Sequence, residues 1–142
     1  MGTAPALDGI HHLKLPVGDL ERSLTWYQER LGYEVMHEFV EDGVRMGIAM
    51  THPNGGPDFA IRLDPERARA AAGFDYFAIG VPGRDSIEEL ATSFTERGDN
   101  HGGVVRTPVG WVLLGVRDPD GHAIRFYTVP LELPPEGFGE ER

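Results

Sequence analysis

The chain has 142 residues, 40% of them apolar, which is the composition of a compact folded protein and not of a disordered one. Its net charge of −10 argues against a nucleic-acid or anionic-membrane surface, since both need a basic face. Cysteine is absent, which excludes disulfides, thiolate nucleophiles and cysteine-ligated metal centres.

The first periodic segment, Ile10 to Val17, alternates and reads as a strand. Asp19 follows as an N-cap, and Leu20, Leu24, Tyr27 and Leu31 recur at helical spacing up to Gly32, a suitable C-terminal cap. Two strands, Tyr33–Val40 and Val44–Met50, are joined through Asp42-Gly43, a tight-hairpin signal. A turn at Pro53–Pro57 leads into a fourth strand at Phe59–Leu63. Asp64-Pro65-Glu66 and Arg67 to Ala72 read as a short capped helix or a linker, closed by Gly73.

The order then repeats. Phe74–Val81 is a strand, and Ser86 with Glu89 makes a capping box for a helix carrying Ile87, Leu90 and Phe94 and ending near Gly98. Val104–Thr107, Val112–Val116 and Ala123–Thr128 supply three more strands. From Pro130 onward Pro, Glu and Gly dominate and no period survives, so residues 131–142 are expected to form a solvated acidic tail. No apolar run reaches about 18 residues, and residues 1–8 lack the basic start and apolar core of a signal peptide. The expectation is a soluble, cytoplasmic protein.

The two halves also echo each other residue by residue. Ala-Ile-Arg occurs at 60–62 and again at 123–125, and Gly9 to Val17 aligns with Gly73 to Val81. A repeat of about sixty residues means two similar modules, here residues 9–66 and 73–130 joined by 67–72 and preceded by an extension over 1–8. Matched residues of the two halves are expected to face a shared cleft.

These features resemble the vicinal oxygen chelate superfamily, which includes glyoxalase I, fosfomycin and bleomycin resistance proteins and extradiol dioxygenases. The resemblance is carried by Gly9 to Leu20, by Ser23, Trp26-Tyr27 and Leu31-Gly32-Tyr33, and by the closing run Asp118 to Phe126. It implies an α+β fold of two tandem βαβββ modules, forming a cupped eight-stranded mixed sheet with helices on the convex face. It also implies a ligand inside the cup, and homodimers by module pairing or swapping. Metal-using members bind a divalent ion with His on the first strand, His on the matching strand of the second module, and Glu on the last strand. A Glu or Gln on the fourth strand completes some of these sites.

Carried over to this chain, those positions hold His12, Tyr76, Arg125 and Arg62. Only His12 keeps a ligand type. Arginine has no lone pair to donate and stays cationic, and tyrosine ligates only as phenolate. The expectation is therefore no metal and no other cofactor, with a divalent metal as the alternative.

Strand alternation points His12 and Lys14, then Tyr76, and then Arg125 and Tyr127 to one side of the sheet, with apolar neighbours behind them. With Arg62 these residues make a basic, tyrosine-bearing cleft suited to a small anionic or aromatic molecule. The competing reading is that Arg62 and Arg125 only form ion pairs, with acids such as Glu34, Glu38 or Asp58.

Two functions follow. One is sequestration of a small molecule without a metal, as in resistance proteins. The other is an enzyme, a lyase, isomerase or oxygenase, with His12 as general base or with metal ligands recruited by a shifted register at His37 or Glu38. Blander roles suit the remaining candidates. His11 reads as packed, His122 as a turn residue, Trp26 and Tyr27 as core, and Trp111 as either a cup wall or a packing residue.

Overall fold

A computed structural model describes residue 2 and residues 4–128, so the acidic tail lies outside the described residues. The chain divides into two compact units, the first ending at Ala70 and the second beginning at Ala71. Each contains a four-stranded mixed sheet backed by a helix, the α+β arrangement of two βαβββ modules.

In the first unit, strand β1 (His12–Val17) leads to helix α1 (Leu20–Leu31), then to β2 (Glu34–Glu41), β3 (Val44–Thr51) and β4 (Asp58–Leu63). The spatial order is β1-β4-β3-β2, with β1 parallel to β4 and the other pairs antiparallel. Both ends of α1 are specified locally. Asp19 accepts a hydrogen bond from the Arg22 amide, and Gly32 closes the helix at φ 78°, which favours glycine. Asp42 and Gly43 turn the β2–β3 hairpin at φ 50° and 77°, both left-handed as a primed turn requires.

The helix covers one face of this sheet. Leu15, Val17, Ile48, Met50, Phe59 and Ile61 are all buried, with Tyr27 of α1 completely so. Side chains of this size contribute about 1.5–3 kcal/mol each on full burial. The Tyr27 ring meets Trp26, Tyr33 and Phe59 edge to face, at centroid distances of 4.8, 6.3 and 4.8 Å. Burial also holds the Tyr33 phenol above its ordinary value.

A short helix α2 (Pro65–Ala71) follows, and Asp64 accepts the Arg67 amide at its start. The second unit runs β5 (Asp75–Val81), α3 (Arg84–Glu96), β6 (Gly103–Thr107), β7 (Gly110–Arg117) and β8 (Ala123–Thr128), in spatial order β5-β8-β7-β6. Its core is Ile87, Phe94, Leu113, Val116, Ile124 and Phe126. The cap of α3 corrects the sequence expectation: the helix begins at Arg84, with Gly83 before it and no side-chain cap. Ser86 and Glu89 therefore lie inside the helix, because it extends one turn further back than the Ser-x-x-Glu signal suggests.

Among the described residues no helix is long and apolar enough to cross a membrane.

Candidate functional site

Directly opposite residues of neighbouring strands share a face, so register shows what the helix-free side of each sheet carries. In the first unit one row reads Lys14, Ala60, Ala49 and His37, and the next reads Pro16, Arg62, Gly47 and Phe39. His12 stands beside Asp58 at the start of the same face. The middle of this face is floored by Gly47, Ala49 and Ala60, with larger polar side chains around them. A Cβ at Gly47 would lie 3.3 Å from the Ile61 carbonyl oxygen and 3.6 Å from the Phe39 ring, so Phe39 lies against this part of the floor.

The register places His37, which alternation alone could not. It lies on the open face, and its ring meets Phe39 edge to face at 4.6 Å. Glu38 takes the opposite side beside Ile48 and joins Arg45, which also reaches Glu21 of α1 at 2.5 Å. That bridge ties helix to sheet and removes Glu38 from the candidate site.

His12 has a neighbour that the sequence reading set aside. Its Nδ1 lies 3.0 Å from Nδ1 of His11, one nitrogen donating and the other accepting. The His12 Nε2 is then the ring nitrogen directed elsewhere. His11 thus belongs with His12 chemically and is not the packed residue that the sequence suggests; both residues are exposed and His11 precedes the strand.

Arg62 is ion-paired, but with a different acid from those anticipated. Its Nη1 and Nη2 donate to Oε2 and Oε1 of Glu41, at 2.5 and 3.1 Å. Glu34, Glu38 and Asp58 are not its partners, because Glu41 at the far end of β2 faces it across Gly47 and Val44. The pairing holds the Glu41 carboxyl below its ordinary value through the Arg62 hydrogen bond and charge. The same contact keeps the Arg62 guanidinium firmly cationic.

In the second unit Arg125 lies beside Ala78, and Tyr127 lies between Gly80 and Val112. Both side chains therefore stand on the helix-free face, again over small residues. Arg125 Nε is 3.1 Å from Oδ2 of Asp75, an acid that strand alternation did not suggest. The cause is a register shift in β5: Asp75 pairs with Ala123, but Ala78 pairs with Arg125, so one extra residue is inserted between them. The shift brings Asp75 onto the face of Arg125. Tyr76 falls within the irregular stretch, and its ring contacts Phe74 and His122 at 4.7 and 5.6 Å. The simple alternation that set Tyr76 beside Ala78 does not hold here. A hydrogen bond with Tyr127 and the charge of Asp75 both keep Arg125 protonated.

Trp111 is a packing residue. Arg84 of α3 lies 4.1 Å above its ring and Arg106 lies 5.7 Å from it, which places it on the helix side. His122 is fully buried, and its amide donates to Asp118 Oδ1, as does that of Asp120. This carboxylate closes the turn before β8.

The residues carried over to the superfamily's metal positions do not fit a divalent ion. Two are guanidinium groups already joined to carboxylates, and one is a tyrosine packed among rings. No step is derived through a metal there. Elsewhere Asp118, Asp120 and His122 bring potential ligand atoms within 4.8 Å of one another, a grouping that the sequence reading saw only as a turn. The backbone hydrogen bonds to Asp118 account for its carboxylate geometry.

The sequence model of the Glyoxalase/Bleomycin resistance protein/Dioxygenase superfamily matches residues 9–126. No curated protein shows significant sequence similarity to the chain. Among solved structures, an antibiotic binding protein, TnmS3, from Streptomyces sp. CB03234 superposes with a TM-score of 0.72 at 18% identity, covering 88% of this chain and 98% of its own. A lactoylglutathione lyase from Agrobacterium tumefaciens gives 0.70 at 18% identity, covering 88% and 96%. A fosfomycin resistance protein from Listeria monocytogenes, solved with Mn(II) and a dihydroxypropylphosphonic acid, gives 0.68 at 14% identity, covering 86% and 90%. At these identities the likeness is one of fold.

Proposed function

From the premise that this chain belongs to the glyoxalase/bleomycin resistance protein/dioxygenase superfamily, we propose that it binds a small organic anion, aromatic or not, without a metal, as a sequestration or resistance protein does. The observation that carries this reading is the composition of the two helix-free sheet faces. Each has a floor of Gly and Ala with an arginine standing over it: Arg62 by Gly47 and Ala60, and Arg125 by Ala78 and Gly80. A small floor leaves room for a ligand, and a guanidinium supplies the charge and directional donors that orient an anion. His12 and Lys14 add polar groups to the first face, and Tyr127 adds one to the second. The antibiotic binding protein that shares the fold supports the same direction.

No cofactor takes part in this reading. It places the protein in the cytoplasm as a homodimer, a state that sedimentation measures directly. The deciding experiment has two parts: elemental analysis of protein purified without a metal-affinity tag, and a melting screen against carboxylates and aromatic natural products. The reading expects metal far below one equivalent and stabilisation by at least one anionic compound. Near-stoichiometric metal that survives dialysis overturns it.

The runner-up is an enzyme of the same superfamily, favoured by the His11–His12 contact. A hydrogen bond at Nδ1 orients the His12 ring and leaves Nε2 to move a proton. Turnover abolished in His12→Ala would establish it, whereas stoichiometric binding without product favours sequestration.

A further inference from the structure

The two arginines of the repeated Ala-Ile-Arg tripeptide are held in different ways. Glu41 occupies both terminal nitrogens of Arg62. A carboxylate on the Nη1–Nη2 edge of a guanidinium takes the geometry a second carboxylate would need. Asp75 instead meets Arg125 at Nε, 3.1 Å away, on the side of the group nearer its own backbone.

A guanidinium has five N–H donors. With Nε directed at Asp75 and one further hydrogen bond to Tyr127, Arg125 retains donors on its terminal nitrogens. Its neighbour across the strand pair is Ala78, which is too small to cover that edge, and 47% of the side chain is exposed.

We propose that Arg125 is the residue that takes a ligand's carboxylate, two-pointed on its Nη1–Nη2 edge, and that Arg62 serves as a structural partner of Glu41. Asp75 is then a positioning residue that fixes the plane of the Arg125 fork. The inference rests on the anion-binding reading above and narrows it to one arginine and to planar carboxylates. Losing this charge-assisted fork weakens carboxylate binding by at least about ten-fold.

The test uses the full chain with phenylglyoxal, which condenses with the two terminal nitrogens of arginine, and benzoate as the probe anion. Peptide mass mapping follows the modification rate at each arginine. Arg125 should react several-fold faster than Arg62, and benzoate should slow Arg125 alone. Glu41→Gln should raise the rate at Arg62.

Titration calorimetry with benzoate supplies the second readout. Arg125→Gln should lose at least about ten-fold in affinity and Arg62→Gln about two-fold or less. Equal modification rates at the two sites, or a loss confined to Arg62→Gln, overturn the assignment while leaving anion binding intact. A wild-type chain that binds no benzoate, with Arg125 unprotected, overturns the anion reading and the assignment together.

Discussion

Arg62 and Glu41 meet as a two-point pair, Nη1 to Oε2 at 2.5 Å and Nη2 to Oε1 at 3.1 Å, joining the fourth strand to the end of the second across the open face of the first sheet. The pairing lowers the pKa of Glu41, principally through the hydrogen bond from Arg62. A carboxyl with a lowered folded value contributes stability that is complete above its unfolded value, about 4.3, and is lost as pH falls through the folded value. Thermal melts from about pH 6 to pH 2 should therefore show wild type losing an advantage over Glu41→Gln below about pH 4.3. Parallel profiles would show that the pair contributes nothing. Since both groups reach solvent, the difference should be small and should shrink further in high salt.

His52 is a latch for helix α1. The Asn54 amide donates to its Nδ1 at 3.1 Å, so the proton sits on Nε2, which donates to the Leu31 carbonyl at 2.7 Å. It thereby satisfies a carbonyl that the helix end leaves without an intrahelical donor. His52→Ala should destabilise the protein by about 1–3 kcal/mol, read by urea unfolding, with benzoate affinity unchanged. An unaltered midpoint would show that water replaces the ring without cost.

Gly115 is required twice over. Its φ is 76°, and a Cβ there would lie 2.6 Å from the Gly102 nitrogen, on backbone that cannot rotate away. Gly43 has a similar φ of 77° but open space around it. Gly43→Ala should cost about 1–2 kcal/mol for the left-handed conformation alone, and Gly115→Ala clearly more. Equal losses would mean that the backbone around Gly115 relaxes without penalty.

Trp111 packs against two arginines on the helix side, with Arg84 at 4.1 Å and Arg106 at 5.7 Å from its ring. Replacing Arg84 by Ala removes a contact worth about 0.5–1 kcal/mol at an exposed position. The expected signature is a lower melting temperature and a shift in Trp fluorescence, without loss of ligand binding. A binding defect in this variant would place Trp111 in the ligand site instead.

The paired modules were readable in the chain because their causes are local. Alternation from His12 to Val17, the Asp19 and Gly32 caps and the Asp42-Gly43 turn each depend on a few neighbouring residues. The chemistry was less readable because it depends on register. Glu41 reached Arg62 through strand pairings that sequence does not state, and one extra residue in β5 exchanged Tyr76 for Asp75 beside Arg125. Likewise, Ser86 and Glu89 form a capping signal that tertiary packing overrode by starting α3 at Arg84.

By itself the sequence determined the kinds of residue available: no thiolate, and His12, Arg62 and Arg125 at positions that the family resemblance matches to metal ligands. Residue type sets charge and donor capacity whatever the fold. Only the tertiary structure decided which acid holds which arginine, and by which nitrogen. A strand reverses the direction of every side chain when its register slips by a single residue.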